Sequence, residues 1–194
     1  MSTIILRGDV EVENPLELAL DFLAAYSSYE AHDSSGSASF DESDLRLANR
    51  GGARISAAEI AAILERRREI ERGLREIHPA ASLAAATSSI PWIPLTQLFD
   101  AFGDIRGIGF SKMTKALHKK RPALIPMLDS VVQAYLTRDD PGMGSSGSFG
   151  ERSTALVRGY KRDLDRNRSV LHASSNESSR AARTGSPRCE SSTF

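Results

Sequence analysis

Two glycines around one aliphatic residue, Gly107-Ile108-Gly109, then a run of lysines, then a lone aspartate, Asp129, are the residues of this chain whose types and spacing suit chemistry. Glycines let a backbone turn through conformations that a side chain forbids, and the aliphatic residue between them can plug the gap between two helices. A turn of this kind leaves N–H groups facing outward at the start of the next helix, where a phosphate can bind. From Arg106 to Arg121 there are six bases and no acid. Glycine turn, open helix end and cations together make a clamp for nucleic-acid backbone that reads no base sequence. On this reading Gly107, Ile108 and Gly109 form the phosphate-binding turn and Ser111 opens the helix behind it. Lys112, Lys115, Lys119 and Lys120 supply charge.

Asp129 carries two expectations that do not exclude each other. Before Ser130-Val-Val it makes a good helix N-cap, worth ~1 kcal/mol without any catalysis. Aimed into a partly apolar cleft, its carboxylate would have a raised pKa and act on a bound sugar or water.

The elements that must position these residues read as helices. Asn14-Pro15-Leu-Glu17 starts one, with Leu16, Leu20 and Leu23 facing a core. Asp41 to Ala48 forms a short helix stopped near Gly51-Gly52. Ser56-Ala-Ala-Glu59 is a capping box opening the longest helix, which runs to His78-Pro79 with Arg67 interrupting its apolar stripe. Pro91 to Pro94 is a stiff bend with Trp92 as its anchor, and Leu95 to Phe102 leads into the hairpin. Arg121-Pro122 ends the basic helix, and Asp129 opens another through Leu136. The expected architecture is all-α, a helical bundle around a helix-hairpin-helix element over residues 1–138. A flexible linker at 139–150, a C-terminal helix at 151–172 and a disordered Ser/Arg-rich tail at 173–194 follow.

Charge is polarised although the net is zero. Residues 1–50 hold ten acids against three bases, and residues 106–150 hold seven bases against three acids. A basic face on a neutral protein suits a polyanion or an acidic protein partner. The alternative is that the acidic first quarter folds back and neutralises it. The single cysteine, Cys189, excludes an internal disulfide framework and a cysteine-ligated cluster. No histidine pair has metal-ligand spacing, and no cofactor fingerprint appears. Without an apolar run long enough for a membrane span or a secretion signal, a cytoplasmic protein is expected. Tyr26, Tyr29 and Asp33 could line a small polar site.

The turn, the basic helix behind it and an aspartate 22 positions after Gly107 resemble the helix-hairpin-helix core of the endonuclease III type of DNA glycosylases. The resemblance covers Leu98 to Val132 closely and the helical layout more loosely. It implies a hairpin that binds DNA phosphate. It also implies that Asp129 stabilises the developing sugar cation or activates the nucleophile in base excision. Bifunctional members place a lysine where this chain has Ser111, and lyase chemistry needs an amine aimed at the sugar carbon. An enzyme of this kind would therefore be a monofunctional N-glycosidic hydrolase. Arg106 stands in place of the usual proline, and little of the chain is left for a base-specific pocket. The same block also resembles a family of uncharacterised actinobacterial proteins with no established reaction. A reading from a different class is a non-catalytic helical protein whose basic helix docks an acidic protein or the chain's own N-terminal quarter.

Overall fold

The computed structural model describes residues 3–25, with side chains to residue 21, and residues 36–173. The described chain is mostly helical with one two-stranded ribbon. Strands β1 (Thr3–Ile5) and β2 (Glu11–Glu13) pair antiparallel, Ile4 opposite Val12. The α-helices that follow are α1 (Pro15–Ala25), α2 (Glu42–Arg50), α3 (Ala57–Glu65), α4 (Arg67–Glu76), α5 (Trp92–Asp100), α6 (Phe110–His118), α7 (Ser130–Leu136) and α8 (Phe149–Arg166), with a further helical stretch over the described residues 168–173. The ribbon had no counterpart in the sequence reading, because three-residue strands are too short to show a period. Its anchor is tertiary. Arg7, 7% exposed, donates to Asp163 at 2.9 Å and to the carbonyls of Leu136 and Gly159, while Asn167 pairs with both backbone groups of Ile5.

The core is aliphatic, as composition suggested, and centres on α5. Leu95, Leu98, Phe99 and Phe102 are fully buried against Ile70 and Leu74 of α4 and Val157 of α8. Close helix approach explains two glycines. A Cβ on Gly73 would meet Leu98 at 3.1 Å, and one on Gly150 would meet the Thr96 carbonyl at 2.1 Å.

Local signals predict most helix starts. Asp41, Ser56 and Ser148 each form a capping box, satisfying N–H groups that the first turn leaves open. Three expectations need correction. The long helix from Ser56 is two helices that meet at Arg66, whose N–H turns back to Ile63 at 3.0 Å. This break lets Ile63 and Ile70 both reach the core while Arg66 and Arg67 stay with Glu69 and Glu71 at the surface. The Pro91–Pro94 bend lies largely within α5, which starts at Trp92, so Pro94 occupies the first turn, where no N–H is needed. Leu20 of α1 is 53% exposed rather than in the core, because α1 packs extensively on no other described helix.

Residues 139–150 carry Met143 into the core, and α8 packs along the whole of α5. Tyr26, Tyr29, Asp33, Cys189 and the expected tail from residue 174 onward lie outside the described residues.

Candidate nucleic-acid interface

The hairpin is the turn from α5 to α6. Ile105 and Ile108, 8% and 6% exposed, tie it to the core. Gly107 has φ +87°, a conformation that side chains disfavour, and a Cβ there would lie 2.2 Å from Glu59 Oε1. Gly109 is extended and sits at the N-cap of α6, where it offers no capping side chain. The first α6-side N–H to be bonded is that of Met113, which donates to the Gly109 carbonyl at 3.1 Å. The N–H groups of Phe110, Ser111 and Lys112 have no acceptor among the described residues. A Cβ added at Gly109 would meet nothing within 4 Å, so the outer face of this helix end is open. Oriented N–H groups at such an end favour negative charge.

The lysines expected to flank this end are not equally available. Lys112 Nζ lies 2.6 Å from Glu59 Oε1, and Glu59 Oε2 accepts the Ser56 N–H at 2.7 Å. The Lys112 hydrogen bond holds the Glu59 carboxyl below the usual glutamate range against the upward pull of burial. Lys115 donates to the Gly52 carbonyl at 3.3 Å. Lys120 is buried, with Asp44 Oδ1 at 2.7 Å and the Gly36 carbonyl at 3.4 Å. Lys119 is half-buried. The acidic first half of the chain thus folds onto α6, chiefly through α2, and Lys120 is held out of reach of an external backbone. Arg106 is exposed beside the turn.

Arg121, expected to end the basic helix and the last of the six bases counted from Arg106, is 1% exposed. Its guanidinium donates to the carbonyls of Ile77, Ser37, Lys120 and Leu74, closing the C-terminal end of α4. Burial lowers its pKa. Every N–H it has is used internally, so it is a structural cation.

Asp129 is the N-cap of α7, its Oδ1 accepting the Val132 N–H at 2.9 Å. Oδ2 has no protein partner among the described residues. The cap is tied directly to the hairpin helix: Thr114 Oγ1 on α6 accepts the Leu128 N–H at 3.0 Å and donates to the Phe110 carbonyl at 2.8 Å. His118 adds a second tie, to the Ile125 carbonyl at 2.7 Å. The loop that leads to Asp129 is therefore hydrogen-bonded to the hairpin helix at two points.

One residue of this region escaped sequence reasoning. Arg152 of α8 lies over the Phe110 ring, with Cζ 5.8 Å from its centroid, and Phe110 in turn packs on Phe149 at 5.1 Å. Its Nε is buried without a hydrogen-bond partner. The guanidinium brings a positive charge over the first residue of α6. Nothing local marks Arg152, because the contact spans residues 110 to 152.

Among the described residues no group of three or more His, Cys, Asp or Glu side chains is arranged to hold a metal ion. No described helix is long and apolar enough to cross a membrane. A family model described as a family of unknown function (DUF6308) matches residues 20–186. No curated protein and no solved structure matches the chain.

Proposed function

The chain belongs to this family of unknown function, and from its own geometry we propose that it binds the phosphate backbone of DNA through the α5–α6 hairpin. The observation that carries the reading is the uncapped, unobstructed start of α6 at Gly109, with three N–H groups lacking acceptors. The positive charge of Arg152 over Phe110, the first residue of α6, supports it. Phosphate contacts of this kind position a protein on a duplex without reading sequence.

Gly109→Asp is the direct test. Gly109 already has a backbone that any residue adopts, with φ −104° and ψ −179°, and has room for a side chain. An aspartate there would cap α6 and stabilise the fold by a few tenths of a kcal/mol. The same carboxylate would fill the anion site. A variant as stable as the parent that no longer binds fluorescent duplex supports the reading, and unchanged binding overturns it.

A second reading keeps the glycosylase-like resemblance. Asp129 has a carboxylate oxygen left over after capping and is fastened to the hairpin helix through Thr114. If the protein excises bases, Asp129 is the catalytic carboxylate of a monofunctional hydrolase. Asp129→Asn then abolishes release of damaged bases from a duplex panel while DNA affinity is kept. Equal activity in parent and variant removes Asp129 from the chemistry.

A further inference from the structure

We infer that α8 carries a second nucleic-acid surface, an arginine row formed by Arg158, Arg162 and Arg166 and flanked by Trp92. The three arginines follow one another at four-residue spacing, so they share one face and rise ~6 Å per step along the helix. All three are exposed. None has a carboxylate partner among the described residues, and none has an interaction beyond those described.

The reason is found in the acids of the same helix. Glu151 is spent on the capping box with Ser148. Asp163 accepts Arg7 from the N-terminal ribbon. Asp165 takes both Lys161 and Arg168, and the Lys161 hydrogen bond holds its carboxyl low. Each acid of α8 is occupied by another group, and the arginine row is left uncompensated. The arginines of α4 differ in this respect. Arg68, Arg72 and Arg75 are exposed as well, but the exposed Glu65 and Glu76 nearby have no partner of their own, so that face is close to neutral.

Nucleic-acid backbone is the partner that this chemistry fits. Guanidinium groups present flat forks that match phosphate oxygens, and a straight row of them needs no sequence to read. The Arg158 guanidinium lies 4.3 Å from the centroid of the Trp92 ring, which keeps it extended at the surface. Ile93, next to Trp92, is 73% exposed and is the large apolar side chain closest in sequence to this edge. Architectural DNA-binding proteins place apolar side chains of this kind against base steps. A membrane-surface helix would need an apolar stripe along the arginine row, and none of the large exposed hydrophobic residues lies on α8.

The inference takes its kind of partner from the proposed function, but its residues are separate, and one set of titrations distinguishes the two. A fluorescent duplex of about 20 base pairs is titrated between about 50 and 200 mM salt against four proteins. These are the parent, Arg158→Gln/Arg162→Gln/Arg166→Gln, Arg152→Gln and Gly109→Asp. Exposed polar replacements on a helix surface leave the fold intact, which thermal unfolding verifies. The triple variant is expected to lose affinity at least tenfold at low salt, and its salt slope should fall by about 2.7, three phosphate contacts at about 0.9 each. Trp92 is the sole tryptophan, so its emission should change when unlabelled duplex binds the parent. Unchanged affinity and slope in the triple variant overturn the arginine row, whatever Gly109→Asp does. Loss in the triple variant with full binding by Gly109→Asp upholds the row and removes the hairpin. Tight, arginine-dependent binding to vesicles rich in phosphatidylserine, with no duplex binding, replaces nucleic acid by a lipid surface and overturns the inference as stated.

Discussion

Helices α6 and α8 are both basic, and they use their charge in opposite ways. The α6 segment has no acid within it, yet Lys112 meets Glu59, Lys115 meets a carbonyl and Lys120 is buried on Asp44. Along α8 acids and bases alternate, yet Arg158, Arg162 and Arg166 stand free of carboxylates among the described residues. The difference lies in where the compensating groups come from. Acids distant in sequence fold onto α6, whereas the acids of α8 are drawn away to Arg7, Lys161, Arg168 and the helix cap. Charge counted along a chain is thus a poor measure of charge offered at a surface. An ion pair at the surface contributes little stability, but it removes a cation from the field that a polyanion feels.

The sharpest way to test the contrast is to remove one cation from each helix and measure stability in urea. Lys120→Met removes the buried ion pair with Asp44 and should cost about 3–5 kcal/mol. Arg162→Ala should change stability by no more than about 0.5 kcal/mol. Equal effects would mean that α8 is as internally committed as α6.

The next effect is at the turn. Gly107→Ala forces a side chain into positive φ and against Glu59, which should cost about 1–2 kcal/mol. Combining it with Glu59→Ala should recover part of that loss, because the clash disappears and the backbone strain stays. Full additivity of the two losses would separate Glu59 from the hairpin.

A smaller effect concerns affinity. Glu59→Gln releases Lys112 beside the open start of α6, so duplex binding should tighten and the salt slope should steepen by about 0.9. Weaker binding would show that Glu59 supports the anion site instead of competing with it.

The smallest effect is the pH dependence of the same pair. The Glu59 carboxyl is held below its ordinary value in the folded protein, chiefly by Lys112. The stability it contributes is therefore complete above the ordinary glutamate pKa and is lost as pH falls through the lowered folded value. Glu59→Gln should flatten the pH dependence of the unfolding free energy, measured in urea, over that acidic window by less than about 1 kcal/mol. A parent and variant with parallel curves would mean that the pair contributes nothing to folding.

Much of the fold was legible because its signals are local. Asp41, Ser56 and Asp129 begin helices as their side chains allow, and the Gly107-Ile108-Gly109 turn joins two helices with Ile108 inward. Ser148, by contrast, lies within the expected linker and caps a helix that starts at Phe149. The break at Arg66 was foreshadowed by the interrupted stripe at Arg67, but a stripe records only which residues face inward and not how the axis bends between them. Leu20 has the right spacing for a core face and still lies exposed, because spacing does not supply a neighbour to pack against.

The sequence by itself determined the helical class, the positions of most helix starts, the place of the glycine turn and the capping role of Asp129. Each depends on backbone preferences or on hydrogen bonds spanning three or four residues, which a linear reading contains. Only Gly107 of the two glycines has the positive φ that excludes a side chain. Tertiary structure decided which cations are spent and which are offered. It buried Arg121 beneath the end of α4, set Arg152 against Phe110, tied the Asp129 loop to Thr114 and drew the acids of α8 away from its arginines. Those pairings depend on distance in space between residues far apart in the chain, and Coulomb and hydrogen-bond energies follow that distance.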